Sequence, residues 1–153
     1  MRRPLSIAFA IPAVILALAG CGRQDEVTTP VACLEPVSAW QEALDAAPGK
    51  VALDGVPISD CLPADQPAGE QETVGLTVVE VATILAREGL DDRTAFEAGY
   101  LVGALERGAG STQGIHTTLI DRVTTAATNG LAARPEAVRG AYREGYETGK
   151  TDG

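Results

Sequence analysis

The chain has 153 residues, a net charge of −9 and a composition that is 45% hydrophobic but only 4% aromatic. This length supports one domain with a real core. Its acidity excludes nucleic acid and an anionic bilayer face as charge-driven partners. Lys50 and Lys150 are the lysines among 12 basic residues, and with many alanines and glycines this points to a GC-rich genome.

Met1-Arg2-Arg3 is a positive start, and residues 5–18 form an apolar run that ends in Leu18-Ala19-Gly20-Cys21. This is the pattern of a secretory signal. A transmembrane anchor needs about 20 apolar residues; this run is shorter and holds Pro12 in its middle. A plain cleaved signal needs no cysteine after Leu-Ala-Gly. The four residues resemble the lipobox of bacterial lipoproteins. That resemblance implies transfer to the Cys21 sulfur of a diacylglyceryl group, which carries two acyl chains such as palmitate, and cleavage before the cysteine. One chain anchors only marginally, at about 0.8 kcal/mol per buried CH₂, whereas two anchor stably. The processed chain keeps 10 basic and 21 acidic residues, so it relies on lipid for its hold on the membrane.

With Cys21 lipidated, Cys33 and Cys61 remain in an oxidising compartment. A disulfide between them closes a loop of 28 residues and contributes about 3–4 kcal/mol by loop entropy. Two free thiols or a metal pair are the alternatives. Two cysteines and His116 are few ligands for zinc, which takes four.

Residues 21–32 read as a polar tether. A short helix is predicted over 36–47, with Val37, Trp40 and Leu44 on one face and Pro48-Gly49 as its stop. Residues 50–69 are irregular, with short extended pieces at 51–53 and 56–58 around Asp54-Gly55. A first long helix begins near Glu70 with Val74, Val78, Val81 and Leu85 in register, and Gly89 ends it. Asp91 or Asp92 caps a second that runs to about Arg107, where Gly108 and Gly110 stop it. Ser111 or Thr112 opens a third, with Ile115, Leu119, Val123 and Ala126 in line, closed by Asn129-Gly130. Pro135 starts a fourth that ends near Gly149. The expected fold is all-α: a small antiparallel bundle of four main helices plus one short N-terminal helix, stapled by one disulfide. The expected organisation is signal 1–20, tether 21–32, helical domain 33–149 and a disordered tail 150–153.

One pattern repeats. Phe96-Glu97-Ala98-Gly99-Tyr100-Leu101-Val102-Gly103 and Tyr142-Arg143-Glu144-Gly145-Tyr146-Glu147-Thr148-Gly149 share the form aromatic-x-x-Gly-Tyr-x-x-Gly, 46 residues apart. Each glycine inside a helix costs about 1 kcal/mol against alanine, so something must offset Gly99, Gly103, Gly145 and Gly149. Glycines at i and i+4 make a ridge without side chains that lets two helices approach closely. The second and fourth helices are expected to cross there, with the aromatic residues at the core edge. In the other reading, Phe96, Tyr100, Tyr142 and Tyr146 line a pocket or a partner-facing groove.

No catalytic residue, cofactor or metal is expected. The chain holds no nucleophile-elbow, zinc-protease, phosphate-loop or dinucleotide pattern. His116 is alone, and Asp91-Asp92 do not face one another on a helix. Glu106-Arg107 and Asp121-Arg122 read as solvated charge.

Ser59-Asp60-Cys61-Leu62, Gln66-Pro67-Ala68-Gly69-Glu70, Gly99-Tyr100-Leu101-Val102-Gly103-Ala104, Glu106-Arg107-Gly108-Ala109 and Gly114-Ile115-His116 resemble stretches of uncharacterised secreted or lipid-anchored proteins of high-GC Gram-positive bacteria. The resemblance implies a lipid-anchored helical domain and brings no chemistry with it. The expected function is non-enzymatic: an interaction or accessory module of the cell envelope, lipid-anchored on the extracytoplasmic face, with an envelope protein as partner and no nucleic acid. The alternatives are a binder of a small molecule or cell-wall fragment, and an inhibitor or immunity-type lipoprotein whose acidity suits a basic target.

Overall fold

The computed structural model describes residues 28–87 and 91–153. The signal, Cys21 and the helix stop at Gly89 lie outside these residues. Five helices and one two-stranded ribbon make up the described fold: α1 Val37–Leu44, β1 Ala52–Leu53, β2 Val56–Pro57, α2 Ala68–Arg87, α3 Asp92–Ala109, α4 Thr117–Ala127 and α5 Glu136–Asp152.

The N-terminal third is irregular and heavily cross-tied. Cys33, in a 3-10 turn Val31–Leu34, forms a disulfide with Cys61 at the end of a second such turn, Ile58–Cys61. Asp54 and Gly55 both have positive φ (45° and 84°), so this Asp-Gly pair makes the tight turn that joins β1 to β2. Trp40 and Leu44 of α1 are fully buried beside Leu53, Ile58 and Leu62 in the same core that receives the long helices. The folded part starts earlier than Cys33. Thr29 is buried, its amide donates to the Glu70 carboxylate at 3.2 Å, and its hydroxyl accepts from Gln66 Nε2 at 2.8 Å. The same Gln66 amide donates to the Cys61 carbonyl at 3.2 Å. The tether is therefore shorter than 21–32.

Val74, Val78, Val81, Ala82 and Leu85 carry the buried stripe of α2. Asp91 caps α3 with a reciprocal box: its carboxylate accepts from the Thr94 amide at 2.8 Å, and its own amide donates to the Thr94 hydroxyl at 3.0 Å.

Three boundaries differ from the sequence expectation. Gly108 lies inside α3, because the Ser59 carbonyl group rests where its side chain would be, with Ser59 C 2.9 Å from an added Cβ. Helix α4 starts at Thr117, not at 111 or 112. Gln113 and Gly114 have positive φ (53° and 87°), which no α-helix accommodates. Its buried line is Leu119, Val123 and Ala127, and Ile115 projects to solvent. Finally, residues 150–152 are not a disordered tail. Helix α5 continues to Asp152, Gly153 is buried against Ala104, and the Arg107 guanidinium donates to the Thr151 carbonyl at 2.6 Å. That places a cation at the negative end of the helix.

The closest helix pair is α3 with α5. Gly99 and Gly103 of α3 meet Tyr142 and Tyr146 of α5 in ascending order, so the two helices run in the same direction. Helices α2 and α4 also run parallel: Gln71 reaches His116, and Gly75 reaches Leu119.

Candidate interaction surface

The repeated aromatic–glycine motif forms a seam between α3 and α5. A Cβ on Gly99 would overlap the Tyr142 carbonyl oxygen and lie 2.8 Å from the Tyr146 nitrogen. One on Gly103 would overlap the Tyr146 oxygen and lie 2.9 Å from the Lys150 nitrogen. The relation is reciprocal: Gly145 abuts the Phe96 oxygen, and Gly149 abuts the Tyr100 oxygen. All the obstructing atoms are backbone, so no side-chain rotation relieves them. In each case a glycine Cα–H points at the carbonyl of an aromatic residue in the other helix. Four such contacts, at about 0.5–1 kcal/mol each, offset about half or more of the roughly 4 kcal/mol that four helical glycines cost. The two copies of the motif are the two halves of one locally symmetric interface.

This geometry employs the aromatic residues mainly as backbone acceptors and core. Tyr100 and Tyr142 are buried, and burial pushes the Tyr142 hydroxyl up to about 12. Phe96 and Tyr146 are half-buried at the edge. The Tyr146 hydroxyl donates to the Glu106 carboxylate, which raises its pKa, and Lys150 caps the pair 3.4 Å from the hydroxyl. Glu106 and Arg107, read from the sequence as solvated charge, thus tie the C-terminal end of α3 to that of α5.

His116 is fully buried just before α4. Its Nδ1 accepts from Gln71 Nε2 at 3.2 Å and its Nε2–H donates to the Pro63 carbonyl at 3.1 Å. Both ring nitrogens are engaged, which leaves no free lone pair for proton transfer or metal ligation. Glu97 is buried on α3 and pairs with Arg93 Nε at 2.8 Å; Arg93 also reaches Asp45 at 3.2 Å. Desolvation raises the Glu97 pKa against the lowering effect of Arg93. Among the described residues no group of three or more His, Cys, Asp or Glu side chains can hold a metal ion, and no helix is long and apolar enough to cross a membrane.

The most accessible apolar feature outside the N-terminal turn lies on the other side of the core. Leu76 is 58% exposed and Ile115 51% exposed. Both line a groove between α2 and α4, which continues past Val79 and Ala126 to Asn129. Gly75 in its floor faces only the Leu119 side chain, 3.4 Å from an added Cβ. Glu72, Asp121 and Arg122 stand on its walls. The sequence held a signal for it. Leu76 falls between the core positions Val74 and Val78, on the opposite helix face. Ile115 was misassigned because α4 begins later than expected.

No protein-family model matches the chain, and neither curated proteins nor solved structures give a match.

Proposed function

We propose that the protein is a cell-envelope lipoprotein, anchored through Cys21 on the outer face of the membrane, whose helical domain is a non-enzymatic interaction module. The observation that carries the interaction reading is the exposed Leu76–Ile115 pair on a groove between two helices. An exposed apolar feature rimmed by polar residues is what a protein contact uses. Binding of a small molecule or cell-wall fragment draws less support, because Tyr100 and Tyr142, two of the four aromatic residues of its proposed lining, are buried in the seam.

The anchor reading rests on the Met1-to-Cys21 pattern and on where the fold starts. From Cys21 to Thr29 the chain spans at most roughly 28 Å at about 3.5 Å per residue. The domain would therefore stay close to the bilayer. We also read consecutive long helices as antiparallel. The parallel sense of α2 with α4 and of α3 with α5 supports that alternation.

The test is cell fractionation of the wild type beside Cys21→Ser. The expected outcome is acylated wild type in the membrane fraction and variant protein released or retained as unprocessed precursor. Normal-sized Cys21→Ser protein in the membrane fraction would refute the anchor.

A further inference from the structure

We propose that the α2–α4 groove receives a basic amphipathic helix of a protein partner: apolar side chains would lie on Leu76 and Ile115, and lysines or arginines against Glu72, Glu80 and Asp121. The proposal rests on the interaction reading above and names its partner class.

Shape argues for a helix. The groove runs between two parallel helices, from Ala68 to Val79 on α2 and from Ile115 to Asn129 on the α4 side. Twelve helical residues cover about 17 Å, enough for three turns of a docked helix with anchors at i, i+3 or i+4, and i+7. The small residues Gly75 and Ala126 in the groove allow a close approach.

Charge argues for a basic occupant. Glu72, Leu76 and Glu80 are spaced i, i+4 and i+8, so two exposed carboxylates flank the exposed leucine along one face. Asp121 adds a third on the opposite wall, where Arg122 brings one cation, so carboxylates remain in excess. The chain as a whole carries −9. A second copy would bring the same excess of carboxylates to the interface, and an anionic lipid surface would be repelled.

The experiment uses the full lipidated chain in phosphatidylcholine nanodiscs, with empty nanodiscs as the blank. The probes are two fluorescent 18-residue helical peptides with leucines at i, i+3, i+4 and i+7, one filled with lysine and one with glutamate. The lysine peptide is expected to bind at least tenfold more tightly. Leu76→Asp and, separately, Ile115→Asp should weaken it at least tenfold with the helical circular dichroism unchanged. Glu72→Lys combined with Asp121→Lys should reverse the peptide preference, and Arg143→Glu on α5 should change nothing. Equal binding of the two peptides, or full binding by both aspartate variants, would overturn the proposal. Self-association of the chain that Leu76→Asp abolishes would also overturn it, by making a second copy the occupant. Failure of the anchor reading is separate and shows in the Cys21→Ser fractionation alone.

Discussion

The two parallel helix pairs achieve contact by opposite means. Helices α3 and α5 meet where side chains are missing, and their backbones touch through Gly99, Gly103, Gly145 and Gly149. Helices α2 and α4 meet through side chains: Leu119 packs over Gly75 at a distance that still admits a Cβ, and Gln71 bonds to His116 just ahead of α4. A side-chain interface can repack around a change, whereas two backbones in contact have nothing to rotate away. Glycine therefore means different things in the two pairs: obligatory in the seam, incidental in the groove.

Substitution in the seam should break this contrast open with the largest effect. Gly99→Val or Gly145→Val must push two backbones apart and is expected to cost more than about 4 kcal/mol, beyond ordinary point mutants. Urea denaturation would register loss of the cooperative transition or a large fall in its midpoint. A valine variant with an unchanged midpoint would refute the close approach.

A second test examines whether the seam helix α3 also carries electrostatic stress on its other side. The folded-state pKa of Glu97 is raised by burial above its ordinary value of 4.5. The native state therefore binds more protons than the unfolded state between these two values. Its contribution to stability is full below the unfolded pKa and is lost as pH rises through the folded one. The stability of wild type relative to Glu97→Gln should fall across that interval, measured by urea midpoints from pH 4 to 7. A difference that stays flat or grows with pH would contradict the burial effect.

Gly75→Ala sharpens the comparison from the groove side. Its Cβ would make an ordinary contact with Leu119, and alanine favours the helix by about 0.5–1 kcal/mol. Thermal melting should show equal or greater stability, the reverse of the seam; a marked loss would mean that α2 and α4 are also held at backbone distance. An effect of similar size and opposite sign is expected for Tyr146→Phe. The seam uses the Tyr146 carbonyl, so the variant loses only the hydroxyl's bonds with half-exposed Glu106 and with Lys150, about 1 kcal/mol. A loss of several kcal/mol would move the seam's strength from backbone to side chain.

Much of the helical pattern was legible in the sequence because valines and leucines at 3.6-residue spacing identify one face whatever that face meets. The Asp91 cap and the Asp54-Gly55 turn were legible for an equally local reason: each satisfies its own backbone. The errors share a cause. Gly108 was read as a helix stop, yet it is helical and marks where the Ser59 backbone passes; Gly149 was read as a packing position, as its contact with Tyr100 bears out, but α5 runs on past it to Asp152. A glycine has the same letter as punctuation and as a contact, and only its distant partner distinguishes the two. His116 was illegible for a related reason. Gln71 and Pro63, which satisfy it, lie 45 and 53 residues away. The groove needed the start of α4, which Ser111 and Thr112 masked by offering plausible caps ahead of Gln113-Gly114.

The Gln66 amide, which joins the Thr29 hydroxyl to the Cys61 carbonyl, gives the molecule a defined path for force. A pull on the chain from its N-terminal side enters at Thr29 and is carried within four residues to the covalent bridge at Cys33. From there it passes to the Ile58–Cys61 turn, whose Ser59 abuts Gly108 of α3. Traction is thus divided at Thr29 between the bridged turns and the first turn of α2, which Thr29 grips through Glu70. Two separate moorings, one covalent and one through Glu70, therefore hold the N-terminal end of the fold.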